Sequence, residues 1–214
     1  MRSTDADLST PARIRDAAID TFGTKGFDTG VRAISAAAGV SPGLVIHHFG
    51  SKDGLRAACD ERVLEIIRDQ KLANIREPGP GRMLTALAEV DEYATVVAYM
   101  VRSFAAGGPL AESLLEHMIA DAEEYLAEGV ATGVLRESRD PQARARYLTL
   151  ANVGAMILHL QLHPVPEDSD HRAALRDVAE TLALPALELY TQGLLTDSTM
   201  LDGYLAARAP TTQE

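Results

Sequence analysis

The sequence predicts an all-α fold, and three observations predict it. No stretch shows the period-2 alternation of β-branched residues between turn signals that a half-buried strand needs. Apolar residues recur instead at the three- and four-residue spacing of a helix with one buried face. Along the chain a cap or loop residue is followed by proline, at Thr10–Pro11, Ser41–Pro42, Gly79–Pro80, Gly108–Pro109 and Asp140–Pro141. The missing N–H of proline costs nothing in a first helical turn, so each pair reads as a helix start.

The first helix spans about 11–25, with Ile14, Ala17, Ala18, Thr21 and Phe22 on one face and Gly26 just past its end. Two short helices follow, at about 31–38 and 42–48, and a fourth runs from the N-cap Ser51 to about residue 75. Breaks at "REPGPG" (76–81), "GGP" (107–109), "TGVLRESRDP" (132–141) and "HPVPEDSD" (163–170) separate the rest. They bound helices at about 80–105 (broken once), 109–131, 141–163, 171–195 and 198–208. Pro185 lies inside the helix over 171–195 and is expected to kink it, because it removes one backbone hydrogen bond.

Composition narrows the class. Hydrophobic residues at 46% and charged residues at 24% are globular proportions, not those of a disordered chain. No uninterrupted apolar stretch approaches the ~20 residues that span a bilayer, so no membrane partner is expected. The segment Met1 to Ser9 is polar, carries Asp5 and Asp7, and does not read as a signal peptide. With one cysteine an internal disulfide is excluded, and the cytoplasm is the expected compartment. Cys59 shares an apolar helix face with Leu55, Val63 and Ile66, which makes it a small core residue and not a nucleophile.

The net charge of −11 is unevenly spread. Residues 1–56 hold seven Lys and Arg against six Asp and Glu, and residues 57–214 hold thirteen against twenty-five. That asymmetry predicts two parts with different partners, 1–56 and 57–214.

Residues 31–50, "VRAISAAAGVSPGLVIHHFG", have the spacing of a helix-turn-helix. Gly39 falls where the turn needs a left-handed backbone. Ile34, Ala38, Val40 and Val45 are spaced to close a small core, and Ser35 is small enough to let the helices approach. Ser41, Pro42, Gly43, Leu44, Ile46 and His47 are left facing outward near the start of the second helix, the end that enters a DNA major groove in such motifs. Short side chains there let the backbone approach base edges, and Leu44 or Ile46 suits a thymine methyl. The spacing by itself leaves open a helical hairpin with no ligand.

"TPARIRDAAIDTFGTKGF" followed by "VRAISAAAGVSPGLVIHHFGSKDGL" resembles the N-terminal domain of the tetracycline-repressor (TetR) family of transcriptional regulators. The marks are Phe22-Gly-x-Lys-Gly-Phe27, Ala38-Gly39-Val40-Ser41 and His47-His48-Phe49-x-Ser51-Lys52, completed by Leu55. The resemblance covers residues 10–56. It implies base contacts from Arg32, Pro42, Gly43 and Leu44, and phosphate contacts from His47, His48 and Lys52. Lys52 stands in a first helical turn, where the helix dipole disfavours a cation and a phosphate would compensate. The chain departs from the family pattern with Ile46 at a tyrosine position, Gly30 for threonine and Ser35 for alanine.

The helices over 141–163 and 171–195 are apolar on more than one face, so they must be buried on two sides, the second by a partner subunit. The resemblance implies the same four-helix dimer interface. Leu148, Met156, Leu158, Leu187 and Tyr190 are the expected contacts of a homodimer, whose two-fold axis suits a palindromic operator. The helices between 60 and 131 then surround an effector. Tyr93, Tyr99, Met100, Phe104, Met118 and Tyr125 are candidate walls of an apolar cavity, with Arg102, His117 and Asn152 as polar handles. Each is also an ordinary core or interface residue on the alternative reading. The acids Glu112, Glu116, Asp121, Glu123, Glu124 and Glu128 read as a solvated face.

His159 and His163 have the i, i+4 spacing of metal ligands, but no cysteine or acid cluster completes a set, so no metal or other cofactor is expected. No phosphate-cradling glycine loop, nucleophile elbow or HExxH stands in the sequence, and an enzyme is not expected. The expected function is a homodimeric repressor that binds double-stranded operator DNA and is released by a small apolar effector. Drug-efflux genes are the first expected target and acyl-chain metabolism the second. A constitutive DNA-binding protein with a filled second core is the alternative.

Overall fold

A computed structural model of the chain describes residues 9–163 and 171–208, so the start of the chain and most of the predicted break at 163–170 lie outside it. Among the described residues there is no strand. The helices are α1 (Thr10–Lys25), α2 (Val31–Ala37), α3 (Pro42–Phe49), α4 (Lys52–Arg76) and α5 (Pro80–Ala88), then α6 (Ala94–Ala106) and α7 (Gly108–Ala131). They continue as α8 (Pro141–Leu162), α9 (His171–Gln192) and α10 (Thr199–Arg208). The predicted break inside 80–105 is a 3-10 turn at Val90–Tyr93 that separates α5 from α6. The expected helix over 171–195 ends three residues early, because Gly193 takes φ +76 and unwinds it, while Pro185 stands inside α9 as expected.

The caps follow the residue chemistry. Ser41 accepts from the Leu44 N–H at 3.3 Å, Ser51 from Gly54 at 3.0 Å, and Asp140 from Ala143 at 2.9 Å. At the α2–α3 turn Gly39 has φ +65, and Val40 N–H donates to the Ser35 carbonyl at 2.9 Å.

One core joins the first four helices to α6 and α7. Ile14, Phe22, Ile34, Val45, Leu55 and Val63 pack in the same cluster as Tyr99, Met100, Leu114 and Met118. Packing is therefore continuous across residue 56. α1 lies close against α6: a Cβ at Gly23 would lie 3.0 Å from the Tyr99 backbone nitrogen. Phe27 meets Tyr99 edge-on, with ring centroids 5.3 Å apart, and the Arg56 guanidinium sits 3.7 Å over the Phe27 ring. The Tyr99 hydroxyl donates to Asp60 of α4 at 2.6 Å. Arg102 donates to the carbonyls of Gly23 and Thr24 at 3.4 Å each, so it caps the end of α1 and is not the handle of a ligand site. Cys59 is buried, and burial pushes its thiol pKa up to about 12, which leaves it inert as the sequence predicts.

Candidate nucleic-acid interface and ligand cavity

The outer surface of α2–α3 is built by exclusion. Ile34 and Val45 are wholly buried between the two helices, and the Ser35 hydroxyl donates to the Arg32 carbonyl at 2.9 Å, so the buried serine is satisfied within its own helix. What remains outside is Arg32, Ser41, Pro42, Gly43, Ile46, His47 and His48, all exposed, with Leu44 half-buried. Ile46 is 42% exposed, a large apolar side chain turned to solvent beside the helix start. The His47 and His48 rings stand edge-to-face with centroids 5.3 Å apart. Lys52 is half-buried in the first turn of α4 and makes no ion pair among the described residues.

Two glycines in this unit have different causes. A Cβ on Gly54 would fall 2.1 Å from the Phe49 carbonyl oxygen, so the α3–α4 junction admits no side chain. A Cβ on Gly43 would meet only Ser41 Oγ, at 4.0 Å. Nothing in the protomer requires a glycine at position 43. Gly43 is the second residue of α3 and leaves the backbone of that turn open to solvent.

A cavity of about 300 Å³ opens between α4, the 3-10 turn, α6, α7, α8 and α9. Tyr93, Met100, Met118, Tyr125 and Asn152 line it as the sequence suggests. Tyr99, Phe104 and His117 do not, and Tyr99 packs in the main core instead. Phe104 packs into the main core one turn beyond Met100, and His117 is exposed, 3.5 Å from Ser113 Oγ. Leu148 and Met156, expected at a dimer contact, instead turn inward and line the cavity. Asn152 donates to the Leu148 carbonyl at 2.6 Å and accepts from the Tyr190 hydroxyl at 3.2 Å, which ties α8 to α9 at the cavity wall. Arg68, Lys71, Asp121 and Thr149 also line it and were not foreseen. A groove of about 370 Å³ between α7 and α8 is larger but polar, lined in part by the exposed ion pair Arg146–Glu116 at 2.8 Å.

Leu158, Leu187 and Tyr190 all lie exposed on α8 and α9, in company with Tyr147, Leu150, Leu162 and Leu184. His159 Nε2 is 2.7 Å from Asp177 Oδ2, and His163 Nδ1 is 2.9 Å from the His159 carbonyl. Among the described residues no three His, Cys, Asp or Glu side chains gather as a metal site. No helix of the described residues is long and apolar enough to cross a membrane.

A helix-turn-helix unit fused to a larger helical body defines a helix-turn-helix transcription regulator. The family model "Bacterial regulatory proteins, tetR family" matches residues 14–59, and "Tetracyclin repressor-like, C-terminal domain" matches residues 91–196. Over 206 residues the chain is 53% identical to the HTH-type transcriptional regulatory protein RaaS of Mycobacterium tuberculosis, covering 96% of this chain and 95% of that protein. The chain belongs to the TetR family of transcriptional regulators and is not an enzyme. Solved structures share the fold. FadR of Bacillus subtilis, in complex with stearoyl-CoA, superposes with a TM-score of 0.57 at 17% identity, over 86% of this chain and 99% of that one. A regulator from Aquifex aeolicus does so at 0.53 and 22% identity, over 83% and 99%.

Proposed function

We propose that the chain is a homodimeric repressor, with residues 1–56 reading a palindromic operator and residues 57–214 dimerising and binding a small, mostly apolar effector that releases the DNA. The observation that carries this is the position of the cavity. Its walls on α4 and α6 are the same helices that pack on α1 and the helix-turn-helix. Along α4, Leu55, Cys59 and Val63 bury against the DNA-reading unit, while Leu64, Ile67 and Lys71 line the cavity. On α6, Tyr99 packs against Phe22 and Phe27 of α1, while Val96, Val97 and Met100 line the cavity. A ligand that prefers one arrangement of α4 and α6 therefore changes the pose of the reading helix. That differential affinity is what an effector needs in order to shift a DNA-binding equilibrium.

Dimerisation is supported by the exposed apolar side chains of α8 and α9. They run on past the end of α9 through Leu194, Leu195, Met200, Leu201 and Tyr204, all exposed. Apolar side chains in that number belong against another surface, and a second copy of the same helices supplies an isologous one. DNA contact is assigned to Arg32, Pro42, Gly43 and Leu44 on bases and to His47, His48 and Lys52 on phosphates. An apolar effector suits control of drug-efflux genes or of acyl-chain metabolism.

Binding to DNA fragments selected by the protein from a random pool tests the reading, with fluorescence anisotropy as the readout. The expected result is selection of a palindrome bound by two chains. Selection of a non-repeated sequence bound by one chain contradicts it.

A further inference from the structure

Resting on the reading of the cavity as the effector site, we propose that the effector carries a single anionic group, a carboxylate in the simplest case, countered by the Lys71 ammonium, with the Thr149 hydroxyl as a second polar contact.

The charges of the cavity wall carry the inference. The wall is mostly apolar, with Leu64, Ile67, Val96, Met100 and Val153 among its residues. It holds two cations, Arg68 and Lys71, and one carboxylate, Asp121. Arg68 lies 3.6 Å from Asp121 and 3.7 Å from Glu124, and further along α4 Arg76 pairs with Glu128 at 2.6 Å. The cations of α4 that face α7 are thus matched by α7 carboxylates, and Lys71 makes no ion pair or hydrogen bond among the described residues. Lys71 is exposed, and the surrounding protein withdraws enough of its hydration to pull its pKa below the ordinary value.

A ligand entering the cavity displaces the water that hydrates Lys71. A neutral ligand offers the ammonium no charged partner, an amine adds repulsion, and an anion replaces the displaced water with a charge-assisted hydrogen bond. Thr149 points the same way. It is only 7% exposed, it lines the cavity, and its Oγ1 has no hydrogen-bond partner among the described residues. A buried hydroxyl is ordinarily bonded, and a helical threonine usually donates back to its own helix. A ligand oxygen is the acceptor this one lacks.

The test uses the full chain and four probes with the same ten-carbon tail: decanoic acid, methyl decanoate, decanol and decylamine, at pH 8. Titration calorimetry is expected to show decanoate bound at least roughly tenfold more tightly than the ester or the alcohol, the scale of one hydrogen bond to a charged group, and the amine bound weakest. Lys71→Met should abolish the preference while decanol still binds, Lys71→Arg should keep it, and Thr149→Val should weaken decanoate alone. Equal affinity for acid, ester and alcohol, or preference for the amine, overturns the anionic assignment and leaves the cavity as an apolar effector site. If none of the four binds, the effector reading of the cavity fails with it. Val153→Trp, which fills the cavity, separates the cases, because binding that survives it lies elsewhere and contradicts both.

Discussion

The Tyr99 hydroxyl of α6 donates a 2.6 Å hydrogen bond to the Asp60 carboxylate of α4. The bond joins two helices that each touch the DNA-reading unit on one side and the cavity on the other, since the neighbouring Met100 is part of the cavity wall. Burial raises the Asp60 carboxyl above its ordinary 3.8, and the Tyr99 bond acts against that rise. Folding therefore makes this acid hold its proton more tightly, and its contribution to stability is greatest below 3.8 and declines as pH rises through the raised folded value. Tyr99→Phe removes the donor and should destabilise the protein by about 1–3 kcal/mol above the raised folded pKa, where the carboxylate accepts the bond, and by less in acid. Urea denaturation across that window checks it. An equal loss at all pH values would show that the hydroxyl matters for something other than the Asp60 charge.

The two glycines of the reading unit predict different outcomes. Gly43→Ala adds a methyl into open space in the first turn of α3 and should change stability by no more than about 0.5 kcal/mol while weakening DNA binding. Gly54→Ala drives a Cβ into the Phe49 carbonyl and should lower the melting temperature. Normal DNA affinity in Gly43→Ala would remove the close backbone approach proposed for that turn.

Lys52→Ala tests the phosphate contacts. Losing one phosphate cation should flatten the slope of log affinity against log salt by about 0.9 and weaken all sequences alike. An unchanged slope removes Lys52 from the contacts.

Leu158 is 56% exposed in the protomer, so a charge there disturbs no internal packing. Leu158→Glu should give a folded monomer, measured by light scattering after gel filtration together with the helical circular dichroism signal. Leu148→Glu should behave differently, because Leu148 faces the cavity. Its charge should cost stability and ligand binding before it touches assembly. A folded Leu158→Glu dimer would place the interface elsewhere.

The DNA-reading unit is legible in the sequence because glycine turns, serine caps and proline starts are local signals, and Gly39, Ser41 and Ser51 act where the sequence places them. The cavity is legible only in part. Tyr93, Met100, Met118 and Tyr125 stand out as large apolar residues on amphipathic helices, but period alone does not tell which turn faces the void. Phe104, one turn from Met100, shares its helical face by period yet packs against the main core. Leu148 and Met156 were assigned outward because α8 is apolar on two faces, and sequence does not say which face meets the protomer's own core. Lys71 and Thr149 were missed because charged and hydroxyl side chains read as surface. The signal was present: Lys71 continues the face of Leu64 and Ile67 at helical spacing, and Thr149 stands between Ala145 and Val153 on one stripe.

In the proposed function, occupancy of the cavity and occupancy of the DNA are coupled through α4 and α6. That coupling is tested by the affinity of the full chain for its selected palindrome, by fluorescence anisotropy, with and without saturating amounts of whichever ten-carbon probe binds the cavity. Coupling of this kind makes the probe weaken DNA binding by about 5–150-fold and DNA weaken probe binding by the same factor, and both effects should vanish together in Val153→Trp. A probe that fills the cavity and leaves the affinity for DNA unchanged contradicts it.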